Sequence, residues 1–332
     1  MPRPYPDRDQ IMKISESFME ACVLGAAAEL DLFSLLTAEP STASGVAERI
    51  GGDRRCTEVL LDAAAALCLL DKSGGVYSVP EPLQPLLTDG GEETALPMIL
   101  HRMNILRGWA QLAWTAKRGG PCSRPSSVRG PEADRAAFVA AMHSASGPIA
   151  DAVVSRWGPP RFRHLLDVGG ASGTWTLALL RAMPGARATL FDLADAVEQA
   201  RQRIAASDMR ARVALVAGDF YQEELPGGAD LVWLSAIVHQ HSRRENRELF
   251  AKAFRALERG GRIAIRDAVM EADHTAPLFG ALFAINMIVN TERGGTFSFE
   301  ELAEDLLAAG FDNPQLAVQA SDMSSIVVAV KP

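Results

Sequence analysis

The sequence predicts an α/β fold in which a mainly parallel sheet follows a smaller helical domain. Three observations lead to this prediction. Apolar strand-like runs alternate with amphipathic helical runs over residues 164–265, which is typical of a parallel sheet wrapped by helices. Two strand-like runs near the end, 315–319 and 325–330, are joined by a short turn and predict an antiparallel hairpin at the sheet edge. Residues 1–90 show mostly helical periodicity.

The predicted elements follow in order along the chain. The front part has helical patterns at 11–36, 42–50, 56–70, 98–117 and 132–156, with a short strand at 76–79. The later part has strands at 164–168, 188–191, 213–217, 231–238 and 262–265, and helices at 174–183, 194–206, 243–257, 278–289 and 299–309. We therefore expect a helical domain over residues 1–110, a helical linker over 111–158 and an α/β domain over 159–332.

Composition narrows the class of protein. The chain is 48% hydrophobic and 22% charged with a formal net charge of −8, values typical of a globular protein and unlike a protein that holds nucleic-acid backbones. The start is polar, and no apolar run approaches the roughly 18 residues of a membrane span. Together these features predict a cytoplasmic protein without a membrane partner. The four cysteines lack metal-ligand spacing and are expected to be free thiols in a reducing compartment. No carboxylate and histidine cluster has metal-ligand spacing either, so no metal site is expected.

The order helix, helix and strand in the front domain resembles a winged helix-turn-helix, with Gly74-Gly75 turning the wing. Such a domain often binds DNA. However, residues 1–90 hold seven Lys and Arg against fourteen Asp and Glu, and phosphate contacts require a basic surface. A structural or dimerising module is therefore favoured over a nucleic-acid partner.

The strongest motif is HLLDVGGASG at residues 164–173, where an apolar strand runs into Asp167 and the glycines Gly169, Gly170 and Gly173. Glycine lets a ligand approach the backbone at the carboxyl edge of a sheet. A dinucleotide loop needs the spacing G-x-G-x-x-G, which this run does not have. The acid before the glycines favours a ligand with an ammonium group, such as the methionine end of S-adenosylmethionine.

Two further acids end the next two strands. Asp192 in LFDL can bind both hydroxyls of a ribose, and Asp219 in GDF can accept from an adenine amino group while Phe220 packs on the ring. Leu193, Gly218 and Ser235, next to these strand ends or at the end of the fourth strand, complete the predicted cofactor site.

With these motifs in place, the chain resembles the small-molecule O-methyltransferase family of plant phenolic and bacterial secondary-metabolite enzymes. The likeness extends from about Phe18 to the end and rests on LDLFSLL, DVGGASG, FDL, GDF and LVWLSAIVHQHS. It implies a winged-helix dimerisation domain before a Rossmann-like class I methyltransferase sheet of seven strands. It also implies S-adenosylmethionine as cofactor, a small-molecule methyl acceptor and a homodimer.

The catalytic base of that family is a histidine after the fourth strand, and His239 in AIVHQHS occupies its place. A histidine at this sheet edge can take a proton from an acceptor hydroxyl near neutral pH. Asp267 in AIRDAV matches one of the acids that flank the family's base and is predicted to hold its tautomer. Ser242 and Glu245 form a capping-box pattern, so His241 is expected to orient the loop before the next helix.

The chain departs from the family pattern in two places. Gln240-His241 stands where an aspartate and a tryptophan are usual, and Thr296 falls at or near the second acidic position. Two alternatives to O-methylation therefore stay open. One is an S-methyltransferase, since a thiol or thioether needs no strong base. The other is an enzyme of this family that binds the cofactor and catalyses a reaction without methyl transfer.

The substrate wall is predicted from helical residues at some distance from the glycine motif. Met and Phe at helical spacing are more often core, so the lining role is favoured for Asn290 and Met142 over the other candidates. The predicted substrate residues are Met142, His143, Asn286, Met287 and Asn290, with Trp109 or His101 as further candidates.

Overall fold

The structure is a computed structural model that describes residues 5–89, 91 and 93–332, with the side chains of residues 143 and 145 left outside the description. The chain divides into two compact units. The front unit consists of Met1–Arg107 and Arg124–Ala145, and the second of Gly108–Ser123 and Ser146–Pro332. The domain limits at residues 110 and 158 stay predictions.

The helices and strands are numbered in chain order. The helices are α1 (Arg8–Glu16), α2 (Phe18–Glu29), α3 (Leu32–Ala38), α4 (Ala43–Ile50), α5 (Arg54–Ala66), α6 (Gln84–Leu87), α7 (Leu96–Trp109), α8 (Leu112–Arg118), α9 (Pro131–Ser146), α10 (Ala150–Trp157), α11 (Thr174–Ala182), α12 (Ala194–Ala205), α13 (Arg243–Ala256), α14 (Leu278–Asn290) and α15 (Phe299–Ala308). The strands are β1 (Ser41–Thr42), β2 (Asp71–Ser73), β3 (Val76–Ser78), β4 (His164–Val168), β5 (Arg187–Asp192), β6 (Val213–Ala217), β7 (Ala229–Ser235), β8 (Leu257–Asp267), β9 (Val269–Met270), β10 (Phe297–Ser298), β11 (Asp312–Val318) and β12 (Ser325–Val330).

Several long helical patterns are interrupted. The run 11–36 forms α1, α2 and α3, and α2 is separated from α3 because Asp31 takes a left-handed conformation with φ of +56° that no α-helix continues. The run 132–156 forms α9 and α10, which are separated at Gly147-Pro148, where proline has no N–H to donate. In the described part of the chain no single helix is long and apolar enough to cross a membrane, although one bent pair, 8–29 with 32–38, meets both criteria together.

The front unit packs its helices beside a small antiparallel sheet of order β1, β3, β2. Gly74 and Gly75, with φ of +57° and +81°, make the turn between β2 and β3, which suits a residue pair without side chains. Tyr77 is fully buried, and its hydroxyl donates to Asp62 at 2.6 Å. This contact joins β3 to α5.

The second unit contains a seven-stranded sheet of order β11, β12, β8, β7, β4, β5, β6. The strands from β8 to β6 pair in parallel, while β12 pairs antiparallel with both of its neighbours. The terminal hairpin is therefore confirmed. The chain order reverses at β4, between β7 and β5, and ligands of such sheets bind at the carboxyl edge beside this reversal.

The two faces of the sheet bury two separate apolar clusters. Leu165, Trp233 and Ala264 pack with α10 and α11 on one face, and Leu166, Val232 and Ile263 pack with α13 and α15 on the other. Since side chains alternate along a strand, Asp167, Ser235 and Arg266 belong to the first face and Asp267 to the second. This alternation separates the predicted cofactor side from the predicted base.

Candidate active site

Asp167 ends β4 as a deeply buried carboxylate. Its side chain is 1% exposed and accepts from the Thr176 hydroxyl on α11 at 2.5 Å. Burial raises the pKa of Asp167 to about 7, and the nearby Asp192 adds to the increase. A carboxylate in this state is stabilised by a cation that reaches it, which suits its predicted contact with an ammonium group.

The glycines after Asp167 are needed by the packing of the protein itself. Gly169 has φ of +69°, and a Cβ there would lie 2.4 Å from Ile237 Cδ1. A Cβ on Gly170 would lie 2.6 Å from Leu190 Cγ. The sequence motif suggested room for a ligand, whereas the structure shows that neighbouring side chains already take up the space of each missing Cβ.

Gly169→Ala is expected to destabilise the protein by about 2–4 kcal/mol, the sum of a left-handed alanine and an overpacked contact with Ile237. Urea denaturation measures this change. Gly185→Ala is the matched control, because Gly185 has φ of +88° but open space where its Cβ would lie. Equal losses for the two variants would contradict the packing argument.

Asp192, at the end of β5, ties two loops together. Its carboxylate accepts from the backbone N–H of Ala171 at 2.8 Å and of Leu193 at 2.7 Å. Burial raises the pKa of Asp192, and these two bonds oppose that increase. The glycine loop is thereby held against the end of β5, where the predicted ribose contact lies.

Asp219 follows β6 and closes a turn. It accepts from the backbone N–H of Tyr221 at 2.8 Å and from Gln222 Nε2 at 3.0 Å. Phe220 beside it packs its ring edge to face with His241 at 5.7 Å between ring centroids. The turn gives Asp219 a structural role in addition to its predicted contact with adenine.

His239 and Asp267 form the predicted pair. His239 lies in a short 3-10 turn after β7, is 7% exposed, and places Nδ1 2.9 Å from Asp267 Oδ1 and 3.0 Å from Oδ2. Asp267 also accepts from the N–H of Ala268 at 2.8 Å, so it acts as an oriented acceptor for Nδ1–H. Within the described part of the chain Nε2 makes no hydrogen bond, which leaves its lone pair available to a proton donor.

Thr296 and Gln240, which depart from the family pattern, make hydrogen bonds to backbone carbonyls. The Thr296 hydroxyl donates to the Gly280 carbonyl at 3.3 Å, and the neighbouring Gly295 N–H donates to the His239 carbonyl at 2.9 Å. Gln240 is exposed and donates to the Ala236 carbonyl at 3.0 Å. Thr296 thus lies beside the backbone of the base without supplying a charge.

His241 has a partner that the sequence pattern did not reveal. Its Nε2 lies 2.5 Å from the Tyr221 hydroxyl. Burial lowers the pKa of His241, so the ring is neutral and Nε2 accepts a hydrogen bond from that hydroxyl. Asn246 lies close enough to raise the same pKa slightly, while its Nδ2 donates to the Val238 carbonyl at 3.0 Å. These contacts between side chains connect the turn after β6 to the turn that carries His239.

Helix α14 brings some of the predicted substrate residues together. Trp109 Nε1 donates to Asn286 Oδ1 at 3.2 Å, and Asn290 Nδ2 donates to the same oxygen at 2.9 Å. Phe283 of α14 packs edge to face on the His239 ring at 4.8 Å between centroids, a contact not foreseen from sequence. Met287 is buried at 6% exposure.

The other candidates lie in the front unit. Met142 is on α9 and 38% exposed, and His101 on α7 packs against Phe138 at 5.1 Å between ring centroids. His143 was also predicted, and its side chain lies outside the described residues. The substrate roles of all these residues stay predictions.

Comparison with known proteins identifies the two parts of the chain. A family model described as O-methyltransferase domain matches residues 109–312, and one described as O-methyltransferase dimerisation domain matches residues 12–81. Acetylserotonin O-methyltransferase of Rattus norvegicus is 30% identical over 328 residues, which cover 93% of this chain and 74% of the relative. 3-Hydroxy-5-methyl-1-naphthoate 3-O-methyltransferase of Streptomyces sahachiroi is 30% identical over 316 residues, which cover 92% and 90%.

The fold has a solved counterpart with its cofactor. The structure of human N-acetylserotonin methyltransferase in complex with S-adenosylmethionine superposes with a TM-score of 0.78 at 25% identity, covering 100% of this chain and 99% of that chain. The first family model alone spans more than half of the present sequence. The chain therefore belongs to the O-methyltransferase family, as an S-adenosylmethionine-dependent enzyme that carries an N-terminal dimerisation domain.

Proposed function

We propose that this enzyme transfers the methyl group of S-adenosylmethionine to a phenolic or enolic hydroxyl of a small molecule, with His239 as the general base. The observation that carries the proposal is the pair of 2.9 and 3.0 Å contacts between His239 Nδ1 and Asp267. They fix the proton on Nδ1 and leave Nε2 as the acceptor. Asp267 would also stabilise the imidazolium that forms.

The residues at the sheet edge fit the cofactor. When bound, S-adenosylmethionine supplies an activated methyl on a positively charged sulfur. Buried Asp167, with its raised pKa, gains a partner in the ammonium group, and Asp192 and Asp219 lie at the ends of the next two strands for ribose and adenine. Phe220 would pack on the adenine ring, while Gly169, Gly170, Gly173, Leu193, Gly218 and Ser235 complete the proposed cofactor site.

In the proposed mechanism the protein orients the acceptor and removes its proton. Nε2 of His239 would accept that proton, so that the acceptor oxygen would become nucleophilic towards the methyl group that the bound cofactor would supply. The His239 ring packs edge to face with Phe283, which would help to keep the base in place during transfer. Asn286, Met287 and Asn290 are proposed to line the acceptor pocket.

We further propose that the enzyme is a cytoplasmic homodimer whose front domain is a winged-helix module. The dimerisation-domain match at residues 12–81 supports the dimer, and the helices α4 and α5 before the β2–β3 turn support the winged helix. Four free thiols, at Cys22, Cys56, Cys68 and Cys122, suit a reducing compartment.

The test is transfer of labelled methyl from S-adenosylmethionine to a panel of phenols, enols, carboxylic acids and thiols. Label on a phenolic or enolic oxygen is the expected result. Label confined to sulfur would favour the thiol alternative instead. Turnover of an acceptor with full recovery of unchanged S-adenosylmethionine would show a reaction without methyl transfer and contradict the proposal.

A further inference from the structure

Arg266 is a buried charge in an apolar strand. It follows Ile263, Ala264 and Ile265 on β8 and is 4% exposed. Its guanidinium lies 4.2 Å from the centre of the Trp175 ring, and its Nη1 donates to Ser235 Oγ at 2.9 Å. In the described part of the chain its Nε is buried without a hydrogen-bond partner.

The charge of Arg266 is incompletely balanced. Burial lowers the pKa of Arg266 to about 10, and the opposing effects of Asp267 and Asp322 are smaller. Asp267 is on the other face of the sheet and binds His239, whereas Asp322 is exposed and accepts from the Ser324 N–H. Among the described residues no carboxylate forms a salt bridge with Arg266, so the protein holds a buried cation that an incoming anion would stabilise.

The location of Arg266 indicates which anion would bind it. Arg266 and Asp167 share one face of the sheet at its carboxyl edge and contact consecutive residues of α11, Trp175 and Thr176 respectively. The amino-acid end of the cofactor carries an ammonium and a carboxylate on one carbon atom. A buried carboxylate and a buried guanidinium that meet the same turn of one helix are complementary to that pair of charges.

We propose that Arg266 binds the carboxylate of the cofactor's amino-acid end, while Asp167 binds its ammonium group. Nη1 is engaged by Ser235, and the edge formed by Nε and Nη2 presents two parallel N–H groups to the two carboxylate oxygens. Trp175 supports the guanidinium from its face. The inference rests on the proposed cofactor site and is independent of the methyl acceptor.

Isothermal calorimetry with two ligands tests the assignment. S-Adenosylhomocysteine carries both charges, and 5′-deoxy-5′-(3-aminopropylthio)adenosine keeps the ammonium but lacks the carboxylate. The wild type is expected to prefer the first ligand by about 10–100-fold, as a charge-assisted bidentate contact implies. Arg266→Met is expected to weaken S-adenosylhomocysteine alone and bring the ratio close to one.

Arg262→Met is the control, because Arg262 lies on the same strand away from the carboxyl edge and should keep the wild-type ratio. If Arg266→Met does not fold, Arg266→Gln replaces it, since a glutamine amide can still donate to Ser235. An unchanged ratio in a folded Arg266 variant, or a ratio near one in the wild type, overturns the proposal. Failure of both ligands to bind the wild type would overturn the cofactor site itself.

Discussion

His239→Ala is expected to lower kcat for an oxygen acceptor by about 10²–10⁴-fold, the usual contribution of a positioned general base. The affinity for S-adenosylmethionine should stay close to that of the wild type, because in the described part of the chain the His239 ring hydrogen-bonds to Asp267 and packs on Phe283, neither of which is a proposed cofactor residue. Single-turnover rates between pH 6 and 9, with cofactor binding measured separately, distinguish the two quantities.

Gln240→Ala serves as the control for that experiment, since Gln240 is exposed on the same turn and its side chain donates to the Ala236 carbonyl rather than to the predicted base. Asp267→Asn tests the partner, because an asparagine can present N–H to Nδ1 and so favour the wrong tautomer. It should lower kcat without a matching change in KM. Full turnover by His239→Ala on a protonated acceptor would remove His239 from the mechanism.

The second large effect concerns Asp167 and pH. Its pKa of about 7 in the free protein should fall when the ammonium group binds, so binding releases a proton below pH 7. Cofactor affinity is therefore expected to drop by up to about tenfold per pH unit below 7. Asp167→Asn should weaken binding on the order of 10²–10³-fold and abolish this slope.

Calorimetry in two buffers of different ionisation enthalpy measures both the affinity and the released proton. Asp195→Asn is the control, since Asp195 is exposed in the first turn of α12. A slope that persists in Asp167→Asn would assign the linked proton to another group.

The raised pKa of Asp167 also predicts how the stability of the cofactor-free protein changes with pH. A carboxyl group that binds its proton more tightly when folded loses stability as pH rises, here between the ordinary value of 3.8 and about 7. Asp167→Asn should therefore raise the Tm of the cofactor-free enzyme at pH 8 more than at pH 5. If Asp167→Asn raises the Tm but weakens cofactor binding, Asp167 serves ligand binding at a cost in stability.

The sheet could be predicted from sequence because its strands are short apolar runs bounded by glycine and charged residues. The strand at 164–168 and the final strand at 325–330 were placed as the structure has them. The strand predicted at 231–238 ends earlier, at Ser235, because Ala236 has φ of +59° and a 3-10 turn follows. Turns of this kind depend on tertiary contacts rather than on residue pattern.

The candidate site could be predicted only in part from the sequence motifs. The pairing of His239 with Asp267 was expected, but the distance between their atoms depends on the register of β7 against β8, which no local pattern determines. Tyr221 and Phe283 reach the two histidines from distant segments and were missed. Arg266 did carry a signal, since a lone cation within the apolar run IAIRDAV is unusual for a central strand.

Thr296 has a consequence for the electric charge of the reacting centre. With Asp267 as the carboxylate that faces His239, the proposed centre starts with one positive sulfonium and one negative carboxylate, and a neutral hydroxyl keeps the sum at zero. Methyl transfer removes the sulfonium charge, and proton uptake places the same charge on the imidazole. With an uncharged acceptor, the proposed transfer would therefore leave one imidazolium facing one carboxylate, and Thr296 adds no second negative charge to that pair.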